Sequence, residues 1–268
     1  MSNEIPRPDP ELLKQFIEYL KEGEKKKFNF EFDDNEDSEN EIQTEENDAY
    51  EYYDLGGEER KLELNLQIEY LDRRNNITGR RIILRRYIAN TELTDAFLSA
   101  YCYLRDAGRY FFARRIQKCI DLDTGEIITD VPRYLEHKYW NSTEGIIEKI
   151  WNTLSNELRI LIYAGKLDGA LRKGKKQAIA NYVLNITQEK RITEDDFIDS
   201  LQHTEAVTRY KFARLVGEMT AKPIEERQSI VDAVYLLLQS KKKMNAAEEE
   251  VIDYLKKKLK ISSIKASC

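Results

Sequence analysis

Leu62, Leu64, Leu66, Ile68 and Tyr70 alternate with Glu63, Asn65, Gln67 and Glu69. A period of two predicts a strand with one face buried and the other wet. The polar stretch DRRNNITG, ending in Gly79, then reads as a turn, and RRIILRRYI as the returning strand of a β-hairpin. After Asn90 and Asp95, the segments FLSAYCYL and RYFFARRIQKCIDL are rich in aromatic and β-branched residues. Asp106-Ala107-Gly108 separates them, which predicts a second hairpin. DLDTGEII closes the set with a Thr124-Gly125 turn into Ile127 and Ile128. Asp121, Asp123 and Gly125 mimic the opening of a calcium loop, but the terminal glutamate and flanking helices of that loop are missing, so a hairpin turn is expected. Five short strands in so small a span predict a small, strongly bent β-barrel over residues 61–136.

From Ser142 the period lengthens to that of a helix. Thr143 caps a run carrying Ile146, Ile147, Ile150, Trp151, Leu154, Leu158, Leu161 and Ile162, which ends near Lys166–Gly169. Further helices are expected at about 173–187, 193–201, 206–220, 223–240 and 246–258, with Thr193, Pro223 and Asn245 as start signals. The result is an all-α unit of six helices over residues 142–262. At the other end, Asp9-Pro10 opens a single amphipathic helix carrying Leu12, Leu13, Phe16, Ile17 and Leu20, within residues 1–23. One helix is too little for a helix-turn-helix, which argues against independent sequence-specific DNA reading. The fold class expected is therefore α+β and multidomain.

Charge sharpens this division. The formal net charge is −6, yet residues 31–59 hold fourteen Asp or Glu and no Lys or Arg, so the rest of the chain sums to +8. Like charges in a block resist compaction, and residues 24–60 read as an acidic flexible linker. Aromatics at Phe28, Phe30, Phe32, Tyr50, Tyr52 and Tyr53 flank the run, as they would in a segment that imitates nucleic acid against a basic groove. Arg60 to Ile120 is the most basic segment, with thirteen Lys or Arg against six acids.

The 268 residues, 41% hydrophobic and 34% charged, suffice for two cores under a charged surface. The longest apolar run, Ala233 to Leu238, falls far below the roughly 20 residues that cross a bilayer. No leader is readable in MSNEIPRPDPE, so a cytoplasmic, membrane-free protein is expected. Cys102, Cys119 and Cys268 lack metal or disulfide spacing and read as reduced thiols. His137 and His203 are the only histidines, which supplies neither a triad nor a multi-histidine metal site. No cofactor is called for, and catalysis is not expected.

FLSAYCYLRDAGRYFFARRIQKCIDLDTGEII carries a family resemblance. It is similar to the WYL domain, whose core runs as the name-giving triplet, a Tyr-Cys, a Leu-Arg, an Arg-x-Phe and an Arg-Ile. Leu98, then Tyr101-Cys102, Leu104-Arg105, Arg109 with Phe111, and Arg115-Ile116 follow that order. The triplet itself is Ala96-Phe97-Leu98, and the proline that often ends the second strand is missing from ILRRY. The resemblance implies an Sm-like barrel acting as a ligand-sensing module for negatively charged ligands such as nucleotides or single-stranded nucleic acid.

The residues support that chemistry in their own right. Arg105, Arg109, Arg114 and Arg115 interleave with Tyr101, Tyr103, Tyr110, Phe111 and Phe112. Guanidinium forks suit phosphates, and flat rings suit bases. In a regular strand Arg114 and Arg115 point to opposite faces, and the family match selects Arg115. The candidate ligand-binding set is Tyr101, Arg105, Arg109, Phe111 and Arg115. Alternation alone leaves a second reading open, in which Tyr101, Phe111 and Ile116 fill the barrel and the arginines form a solvated face.

The helical half resembles the TerB-like, tellurite-resistance-associated fold, in ELRILIYAGKLDGALRKGKKQAIANYV and again in LLLQSKKKMNAAEEEVIDYLKK. That resemblance implies an Asp-Gly loop and a later glutamate in each half, with acidic residues linked to metal. Here Asp168-Gly169 is followed by Lys175 at the glutamate position, and Glu248 is preceded by Lys241 at the aspartate position. Ammonium groups repel a divalent cation, so no metal site is expected. Two functions follow as expectations. In one, the barrel senses a nucleotide or single-stranded nucleic acid and the helical domain relays to a protein partner. In the other, the chain is a structural adaptor in a bacterial stress or phage-defence system, acting through protein contacts. Homo-oligomer formation is left open.

Overall fold

The computed structural model describes residues 55–72, 74–202, 204–239 and 244–264. The expected N-terminal helix (1–23) lies outside them, as does the acidic linker apart from residues 55–60. Arg60 already stands in the first strand.

Strand β1 (Glu59–Leu71) pairs antiparallel with β2 (Ile77–Ala89), which pairs with β3 (Ala96–Cys102), and β3 with β4 (Ala107–Phe112). On its other side β1 takes β5 (Ile116–Asp121), and β5 takes the two-residue β6 (Ile127–Ile128). The strand order is thus β4-β3-β2-β1-β5-β6, an open sheet. The closed barrel expected from the strand count does not form, because no ladder joins edge strand β4 to β5 or β6. The cause is local: Ala113–Arg115 winds into a 3₁₀ turn and carries the chain from one edge across to the other. The sheet still curls, since Phe112 N donates to Tyr70 Oη at 3.3 Å and the Tyr70 and Phe111 rings meet edge-on at 5.1 Å. Register shifts near Lys61/Leu64 and Leu84/Arg86 add to the bend.

The first turn is tighter than the sequence suggested. Asp72 Oδ1 accepts from Arg74 N and Asn76 N, both at 2.8 Å, and Gly79 stands within β2 opposite Glu69. Tyr103 and Leu104, read as strand, belong to the β3–β4 turn, where Asp106 takes a positive φ of 51°.

The alternation of β1 is borne out: Leu62, Leu64, Leu66, Ile68 and Tyr70 are all buried. Cross-strand partners lie on one face, so Leu66, Ile82 and Cys102 form a row, and Ile68 and Cys119 another. Helix α1 (Val131–Asn141) covers this face with Leu135 and Tyr139. This helix runs through position 136, and its start signal was legible: Asp130 accepts from Arg133 N, and Pro132 sits in the first turn.

The remaining helices among the described residues are α2 (Thr143–Thr153), α3 (Ser155–Gly165), α4 (Lys173–Thr187), α5 (Glu194–Ser200), α6 (Arg209–Met219), α7 (Ile224–Leu238) and α8 (Ala246–Leu259). The single helix expected to begin at Thr143 breaks at Leu154, whose φ and ψ of −106° and 26° are not helical. Asn152-Thr153-Leu154-Ser155-Asn156 explains this, because short polar side chains compete for backbone groups. Thr153 Oγ1 does so, donating to Lys149 O at 2.8 Å. From α2 onward a second apolar core forms, holding Leu158, Val183, Phe197, Val216, Val234 and Leu255, apart from the cluster of sheet and α1.

Candidate functional site

The structure divides the five sequence-derived residues between different surfaces. Arg109 stands opposite Ala100, and Phe111 opposite Leu98, which places both on the inner face of the sheet. Phe111 is fully buried against Tyr70 and belongs to the core. Tyr101 lies on the outer face, opposite Gly108 and Ile83. Its hydroxyl donates to the Asp106 carboxylate across the turn. That hydrogen bond, with some desolvation, pushes the phenol up to about 12, so it stays a proton donor. Arg105 is exposed within the β3–β4 turn.

Arg115 sits in the 3₁₀ turn, which overturns the argument that Arg114 and Arg115 must diverge across a strand. Both guanidinium carbons lie over the Phe112 ring, at 4.3 Å for Arg114 and 6.0 Å for Arg115. Arg114 is also tied to Asp95 at 2.6 Å.

Two further arginines, passed over in the sequence, complete aromatic groups. On the inner face the Arg80 guanidinium lies 5.5 Å from the Tyr70 ring and 5.7 Å from Phe111, with Nε donating to Thr78 Oγ1 at 3.0 Å. On the outer face Arg81 lies 4.8 Å over Tyr103, whose ring is edge-on to Tyr101 at 5.3 Å. Tyr103 remains 41% exposed. The pairing Ile82↔Cys102 places Arg81 beside Tyr103, and Tyr103 N donates to Arg81 O at 3.1 Å. Reading this from sequence required the register of β2 against β3, which alternation does not supply. The outer face thus gathers Arg81, Tyr101 and Tyr103 at one end of the sheet, with Arg105 exposed in the same turn as Tyr103, a group able to stack a flat base and bind a phosphate.

DLDTGE is the hairpin turn expected. Asp121 Oδ1 accepts from Asp123 N and Thr124 N, and Oδ2 accepts from Tyr134 Oη at 2.6 Å and meets Lys138 Nζ at 3.1 Å. Burial alone would raise this carboxyl. The Tyr134 and Lys138 contacts and the backbone amides outweigh it, so its pKa is lowered. Cys102 and Cys119 are buried free thiols, and burial pushes Cys119 up to about 12.

In the helical half, a groove of about 700 Å³ opens between α4 and α7, lined by Tyr182, Ile186, Ile224, Asp232 and Leu236 among others. It shares no residue with the arginine–tyrosine array. The acidic positions implied by the TerB-like resemblance do not fit a divalent ion. Asp168 and Glu248 converge, but on Lys175 Nζ, at 2.8 and 3.8 Å. Lys241 lies outside the described residues. Among those residues no group of three His, Cys, Asp or Glu is placed to hold a metal, and no helix is long and apolar enough to cross a membrane.

Set against models of protein families, curated proteins and solved structures, the chain matches none of them.

Proposed function

We propose that this chain is a ligand-sensing regulatory module. Its WYL-like sheet binds a nucleotide or single-stranded nucleic acid, and its TerB-like helical half relays the bound state to a protein partner. The observation that carries the reading is Arg81 lying 4.8 Å over Tyr103, a ring 41% exposed and edge-on to Tyr101. A base stacks on the exposed phenol while the guanidinium fork and the neighbouring Arg105 hold phosphate oxygens. Stacking contributes about 1–3 kcal/mol per base and tolerates any base. Arg109 and Phe111, on the inner face, support the sheet in this reading. A second reading, an adaptor working through protein contacts, draws on the α4/α7 groove, where Ile186, Ile224 and Leu236 keep 43–46% exposure.

The test is fluorescence anisotropy of the full chain with labelled oligothymidylate and oligouridylate of about 12 nucleotides, within the site sizes common for single-strand binders, across a salt series. Tyr103→Ala with Arg81→Ala should weaken binding by about ten- to a hundredfold, and each lost phosphate contact should reduce the salt slope by roughly one. Wild-type affinity in the double variant, or no binding by the wild type at low salt, would move the function to the adaptor reading.

A further inference from the structure

Helix α7 is apolar over more of its circumference than the core uses. Ile230, Val231, Val234, Leu237 and Leu238 are buried in the helical core, yet Ile224 and Leu236 on the same helix stay 45% and 43% exposed. A helix face turned to solvent is ordinarily polar. Helix α4 presents Ile186, 46% exposed, and all three side chains line the groove between the two helices. Ala178, Ser229 and Ala233 line it as well, and side chains this small let a partner backbone come close. From Ile224 to Leu236 the α7 wall runs about 18 Å, or three helical turns.

Charge selects the occupant. No lysine or arginine lines the groove, and the carboxylates there are Glu225 and Asp232. Glu225 is exposed and enters no salt bridge among the described residues, unlike its neighbour Glu226, which meets Lys222 at 3.2 Å. A lining of this sign repels phosphates, which argues against nucleic acid. Two copies facing groove to groove about a twofold axis would set like charges together. We propose that the α4/α7 groove takes an amphipathic, basic helix of a protein partner. Apolar residues spaced i, i+3 or i+4 and i+7 along that helix seat on Ile186, Ile224 and Leu236, and a lysine or arginine meets Glu225. The inference deepens the relay half of the reading above, on whose protein partner it rests, and shares no residue with the sheet, so the two fail separately.

The experiment uses the full chain and three labelled peptides of about 14 residues, long enough for the groove. One is an amphipathic leucine–lysine helix, the second has glutamate in place of lysine, and the third has the first one's composition with its leucines spread round the helix. Anisotropy should show micromolar binding of the first and binding weaker by about tenfold or more for the other two. Residues 31–59 are acidic and attract any basic peptide, so variants in the groove decide the outcome. Ile186→Ser with Leu236→Ser should weaken the leucine–lysine peptide about ten- to thirtyfold. Both side chains are half-exposed, so the Tm should hold. Glu225→Lys, at an exposed position, should weaken that peptide about three- to tenfold and strengthen the glutamate peptide. Oligothymidylate binding should be the same in every variant, which separates this test from that of the sheet. Unchanged peptide affinity in both groove variants, or equal binding of the spread-leucine peptide, overturns the proposal. So does a wild-type dimer in sedimentation equilibrium that Ile186→Ser with Leu236→Ser dissociates, because a second copy is then the occupant.

Discussion

Arg60 is where the sheet is fastened to the helix that leads into the helical half, and removing it should be costly for reasons the geometry makes explicit. Its side chain is 17% exposed and paired with Glu136 of α1, which is 15% exposed. The guanidinium carbon also lies 4.9 Å from the Tyr139 ring and 4.7 Å from Trp140. Arg60→Ala would strand a largely buried carboxylate, a loss of about 3–5 kcal/mol where no relief exists. Relief does exist: Trp140 Nε1 donates to Glu136 Oε2 at 2.9 Å, and Tyr87 Oη lies 3.4 Å from Oε1. That places the pair near the lower bound, and two cation–π contacts add about 0.5–1 kcal/mol each. The expected cost of Arg60→Ala is thus about 4 kcal/mol. Glu136→Gln keeps a carbonyl acceptor for Trp140 and turns an amide NH2 donor toward Tyr87 Oη, and should cost about 1–2 kcal/mol. The double variant should cost less than the sum, with a coupling energy near 1.5–2 kcal/mol. Urea unfolding can be followed by fluorescence, because Trp140 sits in this cluster while the only other tryptophan, Trp151, stacks on Phe197 in the helical core. Tryptophan-to-phenylalanine backgrounds then separate the two signals. Coupling below about 0.5 kcal/mol, the usual limit of additivity, would refute the claim that this ion pair fastens β1 to α1.

Asp121 gives a pH prediction. Its folded pKa is lowered, so it contributes stability above the ordinary carboxylate range and loses it as pH falls through the lowered value. Asp121→Asn should therefore be less stable at neutral pH, by about 1–3 kcal/mol for the lost charged contacts, and should show a flatter decline in acid. Parallel acid–stability profiles of variant and wild type would contradict this. At Gly145 an added Cβ would stand 2.0 Å from Tyr139 O at the α1–α2 junction, a backbone clash that no side-chain rotation relieves. Gly145→Ala should cost at least about 1–3 kcal/mol by thermal melt, whereas Gly174→Ala, with open space around its Cβ position, should cost nothing measurable.

What the sequence determined by itself is what depends on near neighbours. The alternation from Leu62 to Tyr70 specified a half-buried strand because side-chain direction follows from the period alone. The starts of α5 and α8 were legible for the same reason, through Thr193 and Asn245, whose side chains close capping boxes only three residues ahead. Even the break at Leu154 was present locally, in a run of Asn, Thr and Ser that the apolar periodicity obscured. The tertiary structure decided whatever rests on pairing distant segments. Strand count did not say whether the sheet closes; the 3₁₀ turn at Ala113–Arg115 did, by sending β5 to the far side of β1. Composition found arginines among aromatics, but only the β2–β3 register chose Arg81 for Tyr103 and sent Arg109 and Phe111 to the opposite face. Lys175 read as a charge that repels metal, and the fold made it the partner of Asp168 and Glu248, 73 residues further along the chain in the latter case. Local periodicity sets which side of an element is apolar, whereas a site needs atoms a few ångströms apart, and that proximity is set by loop closure and packing.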